Sequence, residues 1–160
     1  MRGSLLLLLG IIAARCGDDN ATQDVLREAS QLAEQLGCDG NRPWTAFGPT
    51  NVAIHQLSVQ SLLGNAKRAA QIAGSIDTDA LPAVLRGRRS QVHLETGWVA
   101  AGHADDAVAV LHLLEAERAA EQAVSRNASA RTLLSTLMAR ECRGDTPGLR
   151  GLAARAGLLP

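Results

Sequence analysis

Tyrosine is absent from the chain, and the aromatic set is only Trp44, Phe47 and Trp98. Sheets draw on aromatic and β-branched residues, so this scarcity argues against a β-sandwich or barrel. Lysine occurs once, at Lys67, against fifteen arginines, and sixteen basic residues balance sixteen acidic ones. A net charge of zero provides no basic field for free-standing DNA binding. Cysteine is sparse, odd in number and far apart (Cys16, Cys38, Cys142), which excludes a disulfide framework and a CxxC centre. Long apolar runs are also lacking. Leu5 to Ala14 is the longest, and it is too short to span a bilayer. What remains is alanine and leucine, 52 of 74 hydrophobic residues in a chain of 160, a length that fits one helical domain.

The start invites a second reading. Arg2, an apolar stretch from Leu5 to Ala14 and the small residues that end it have the pattern of a signal peptide. Cys16 extends that to a lipoprotein, but Arg15 stands where the cleavage box wants a small residue. The ordinary reading is a helix buried on several sides.

Breakers then divide the chain into about eight helices. Arg2 to Arg15 is the first, closed by Gly17-Asp18-Asp19-Asn20. Gln23 to Leu36 is the second, with Leu26, Ala29, Ala33 and Leu36 on one face and Gly37 at its end. A loop from Asp39 to Thr50 holds Trp44 and Phe47. Asn51 to Leu63 and Ala66 to Ala73 flank Gly64-Asn65. The next helix is expected to start at Asp77 to Ala80, with Pro82 in its first turn, and to reach Ala101. Asp105 to Ala119, Ala128 to Cys142 and a short helix capped by Thr146-Pro147 complete the set. Short turns imply antiparallel neighbours.

Two turns share a form: Gly64-Asn65-Ala66-x-x-Ala69 and Gly102-His103-Ala104-x-x-Ala107. A small residue five places after the turn glycine lets two helices approach closely. This looks like the tetratricopeptide helix–turn–helix. The expected fold is therefore all-α, a short solenoid of antiparallel helix pairs with degenerate repeats. Residues 1–160 form one domain with units near 3–37, 50–76 and 81–119 and terminal helices within 128–157. Unit starts near Gly3, Thr50 and Arg88 are unevenly spaced, and the signature Trp and Pro positions are mostly unfilled.

A closer likeness rests on four stretches: 42–55 (Arg42-Pro43-Trp44-Thr45-Ala46-Phe47-Gly48-Pro49-Thr50-Asn51-Val52-Ala53-Ile54-His55), 91–96, 111–118 and 146–153. Together they resemble the C-terminal, tetratricopeptide-like half of bacterial Xre-type helix-turn-helix transcriptional regulators. The likeness covers nearly the whole chain, while the DNA-reading helix-turn-helix domain of such regulators is absent from it. The resemblance implies a cytoplasmic, non-enzymatic effector-sensing and dimerising module. It would touch DNA only through the absent helix-turn-helix domain and would not engage a membrane. It also implies that Arg2 to Arg15 is an interior helix, so association is expected through this end, as a homodimer or with a partner helical domain.

If the solenoid holds, first helices line a concave groove. Asn51, His55 and Ser58 share one helix face, and Arg89, His93 and Thr96 another, spaced to hold a peptide or a small polar effector. Ordinary solvated helix surface is the competing reading. Trp44 and Phe47 either lid that groove or fill a gap beside a long linker. The histidines at 55, 93, 103 and 112 match no metal-ligand spacing, so no metal and no cofactor is expected. Asp18-Asp19 and Asp105-Asp106 fit helix capping. No nucleophile elbow or phosphate loop appears, and nothing else points to an enzyme. The alternatives are a free-standing interaction scaffold, a truncated remnant, or an exported helical protein.

Overall fold

A computed structural model describes residues 1–39, 47–79, 81–141 and 146–159. The described residues are all-α and contain no strand. The helices are α1 (Arg2–Arg15), α2 (Asp19–Leu36), α3 (Pro49–Leu62), α4 (Ala66–Ser75), α5 (Arg86–Gly102), α6 (Asp106–Ala119), α7 (Glu121–Ser125), α8 (Ala128–Arg140) and α9 (Leu149–Arg155). A turn of 3-10 helix, Ala83–Leu85, precedes α5. No described helix is long and apolar enough to cross a membrane.

Two compact units divide the chain, residues 1–85 and 86–160. In the first, Leu6, Leu7 and Ala14 of α1 meet Leu26, Ala29 and Ala33 of α2 and Val52 and Val59 of α3. In the second, Leu94 and Ala101 of α5 pack with Val110, Leu113 and Ala116 of α6, Leu133, Leu134 and Leu137 of α8, and Leu149 and Leu152 of α9.

Three helix joints have one construction. Gly17 (φ 73°), Gly64 (φ 74°) and Ala104 (φ 59°) adopt the left-handed conformation. Each is followed by a side chain of the Asx type: Asp18, Asn65 or Asp105. The amide of that residue donates to a carbonyl five residues back, on Ala13 (3.0 Å), Gln60 (2.9 Å) and Ala100 (3.0 Å). This wraps up the last free carbonyls of the helix before. Asp18 and Asp105 then cap the helix after, accepting from the amides of Ala21 (2.9 Å) and Val108 (3.3 Å). Five places beyond each left-handed residue stand Thr22, Ala69 and Ala109, all within 1% of full burial. Nine and twelve places on, Leu26 and Ala29 in α2 and Leu113 and Ala116 in α6 are buried as well. Ten and seven places before, Leu7 and Gly10, Ile54 and Leu57, and Leu94 and Gly97 are buried in turn.

Several sequence expectations shift. The third joint is centred on Ala104, not on Gly102-His103, so Ala107 is exposed and Ala109 is the buried small residue. The helix expected from 77–80 begins only at Arg86. Asp77 turns its carboxylate onto the amide of Asp79 (2.9 Å), which favours a turn, and Leu81 precedes a proline, which disfavours helix. α2 starts at Asp19, four residues early, because Asp18 rather than a later residue caps it. Gly148, not Thr146-Pro147, stands at the N-cap of α9. The short α7 adds a helix between those expected at 105–119 and 128–142.

Candidate functional site

The expected groove residues fall in both units. In the first, Asn51 stands in the first turn of α3 and is 4% exposed. Its side-chain oxygen has no hydrogen-bond partner, which is costly for a buried acceptor. One turn on, the His55 ring reaches back to the Asn51 carbonyl at 2.8 Å through Nδ1. A carbonyl can only accept, so Nδ1 carries the proton and Nε2 presents a lone pair in the neutral ring. Ser58 donates its hydroxyl to the Ile54 carbonyl at 3.1 Å. The helix is positioned from outside: Asp39 accepts from the amide and hydroxyl of Thr50 (3.0 and 2.6 Å) at its N-terminus.

Phe47 is half-buried against the core of the first unit. Its ring covers Gly3 of α1 so closely that a methyl group there would overlap it. That contact is structural filling. Trp44 lies outside the described residues.

In the second unit Arg89 and His93 are half-buried on α5, and Thr96 turns its hydroxyl onto the Val92 carbonyl (2.9 Å). Burial lowers the proton affinity of neighbouring Arg88, whose Nη1 donates to Gln91 (2.9 Å). His93 does not stand on open surface. It joins α5 to α6 through His112, with Nδ1 to Nδ1 at 3.1 Å. The ring centroids are 5.4 Å apart, which is that separation plus one ring radius at each end. The nitrogens therefore face each other nearly head-on, and one ring donates N–H to the other's lone pair, so the two hold opposite tautomers. A metal on that line needs about 2.0–2.1 Å to each nitrogen and does not fit the gap. Among the described residues no group of three His, Cys, Asp or Glu gathers to hold a metal ion. Burial lowers the His112 pKa, opposed in part by Glu115.

The joints also give α3 and α5 a common count. Counted from Gly64 and Ala104, Asn51, His55 and Ser58 correspond to Gln91, Glu95 and Trp98. His93 corresponds to Ala53, two residues and so more than half a helical turn from the face of His55.

Sequence reasoning missed two features that packing makes visible. The His93–His112 pair joins residues nineteen apart that no local spacing links. Arg140 of α8 donates from both Nη atoms to the Ala101 carbonyl (3.2 Å each) and pairs with Asp106 of α6 at 2.8 Å, clamping the α5–α6 joint. An open cleft of about 360 Å³ lies among Leu114, Glu117, Arg118, Glu121 and Arg155. Its Arg155 already holds Glu117 by two bonds of 2.8 and 2.6 Å. Cys16 and Cys38 are free and exposed. No family model, curated protein or solved structure matches the chain.

Proposed function

We propose that this chain is a non-enzymatic regulatory interaction module, similar to the effector-sensing half of an Xre-type transcriptional regulator and working in the cytoplasm. The observation that carries the reading is the recurrence of one joint. Three helix pairs turn on a left-handed residue, an Asx residue and a buried small residue five places on. Helix hairpins with a common joint are the building blocks of tetratricopeptide-like solenoids, whose first-helix surfaces bind peptides. The ligand in this reading is a short peptide or a small polar effector. Asn51 favours it further, because its buried oxygen lacks a donor and a ligand N–H or O–H would supply one. Binding would alter hairpin packing and, through it, the DNA affinity of an attached or partner helix-turn-helix subunit.

The test is a screen of pooled short linear peptides by ligand-detected NMR. Binders are expected, and His55→Ala combined with Ser58→Ala should lose them while the helical circular dichroism spectrum is retained. Binders that survive the double change would sink the groove, and so would a pool without binders.

A further inference from the structure

The cleft of about 360 Å³ on the second unit is bounded by Leu114, Glu117 and Arg118 of α6, Glu121 at the start of α7 and Arg155 at the end of α9. The three α6 residues stand at i, i+3 and i+4, so they share one helix face. Two glycines leave room for this lining. A Cβ on Gly148 would come within 3.2 Å of Leu114 Cδ1, and one on Gly151 within 3.3 Å of Arg155 Nη1. Leu114, half-buried against the core of its unit, is the apolar surface of the cleft. The other four lining residues carry two positive and two negative charges.

Ion pairs within the fold use up only part of that charge. Arg155 spends Nε and Nη2 on Glu117, at 2.8 and 2.6 Å. Arg118 spends Nη1 on Glu115, at 2.6 Å. A guanidinium carries five N–H groups, so Nη1 of Arg155 and Nε and Nη2 of Arg118 still have protons to donate. The Glu121 side chain is exposed, and among the described residues no ion pair or hydrogen bond engages its carboxylate.

We propose that this cleft binds a free aliphatic α-amino acid, held by both of its charges and by its side chain. The α-carboxylate takes the open donors of Arg118 and Arg155, the α-ammonium takes Glu121, and the side chain lies on Leu114. The charge pattern selects a zwitterion. A simple anion would meet Glu117 and Glu121 beside the arginines, and a simple cation would meet both guanidinium groups. A neutral apolar molecule would gain a single leucine and leave the open donors and the carboxylate in place. The volume stands near the small end of ligand sites, about 300–1,000 Å³. Charge pairs in so open a site are screened by water, so the expected Kd is about 1–10 mM. No residue of the cleft belongs to the row of Asn51, His55 and Ser58, so its ligand is independent of the effector reading.

Titrating the isotope-labelled chain with L-leucine to about 20 mM should shift the amide NMR signals of residues 114–121 and Arg155 saturably. Leucinamide, which lacks the carboxylate, and isocaproate, which lacks the ammonium, should each shift them far less. Glu121→Gln and Arg118→Gln should each weaken leucine binding about fivefold or more, with the helical spectrum unchanged. Both side chains are exposed, so neither change endangers the fold. A chain whose signals do not respond to leucine would overturn the proposal. So would an equal response to leucinamide or isocaproate, or leucine binding that both variants leave intact.

Discussion

Two single substitutions at the third joint have effects whose signs depend on which residue makes the turn. Ala104 is the only described non-glycine residue with a positive φ, at 59°. An L residue pays about 1–2 kcal/mol for that conformation. Ala104→Gly removes this strain but loosens the unfolded chain, at a cost of about 0.4–1 kcal/mol. The expected net effect is a gain of roughly 0.5 kcal/mol. Gly102 is different: it keeps a helical φ as the last residue of α5, and a Cβ placed there meets nothing within 4 Å. Gly102→Ala should therefore also stabilise, by up to about 0.8 kcal/mol, since alanine is the better helix former. Both gains read as a higher urea midpoint or a Tm raised by about 1–3 °C in a domain of this size. If Gly102 were the turn residue, as the Gly-His pattern implies, Gly102→Ala would instead force alanine into a left-handed turn and lose about 1 kcal/mol or more. Ala104→Gly would then weaken a helix start. A fall in midpoint for Gly102→Ala, with or without a fall for Ala104→Gly, would refute the joint at Ala104. It would also undo the equivalence of Thr22, Ala69 and Ala109 drawn from it.

Acid should weaken the second unit through His112. In the unfolded chain its imidazole takes a proton near pH 6.5, while in the fold burial resists that proton and Glu115 only partly compensates. The unfolded state therefore binds more protons below about pH 6.5, and stability falls as pH drops through that range while staying flat above it. His112→Gln should flatten the wild-type loss of urea midpoint between about pH 7.5 and 5.5; equal slopes in the two proteins would dismiss the histidine as its source. Arg140→Ala removes two bonds to the Ala101 carbonyl and the ion pair with Asp106. The Arg140 side chain is 38% exposed, so solvent screening trims the expected loss to about 1–2 kcal/mol. Arg118→Ala, at a far more exposed pair, should cost close to nothing by the same denaturation assay. Equal effects of the two substitutions would deny Arg140 its clamping role.

The helices themselves are legible because they are written in local chemistry. Alanine and leucine at helical spacing, with glycine or an Asx residue at one end of each, determine α1, α4 and α6 to within about two residues. What local pattern cannot rank is one turn signal against another. Gly102 advertises a turn and Ala104 does not, yet the turn falls on Ala104, because Asp105 can cap α6 and its amide can close on the Ala100 carbonyl. The helix expected from 77–80 fails for a related reason. A proline within its first turn is acceptable only if the residues before it need not be helical, and here the Asp77 side chain captures the backbone ahead of it.

The same two-residue shift bears on the candidate site. On a helix, two residues rotate a side chain by about 200°. A row built on the spacing from His55 to His93 therefore pairs a residue hydrogen-bonded along its own helix with one turned toward α6. The tertiary joint decides which face a residue occupies, and the joint is fixed by hydrogen bonds across the turn that single-letter similarity does not record.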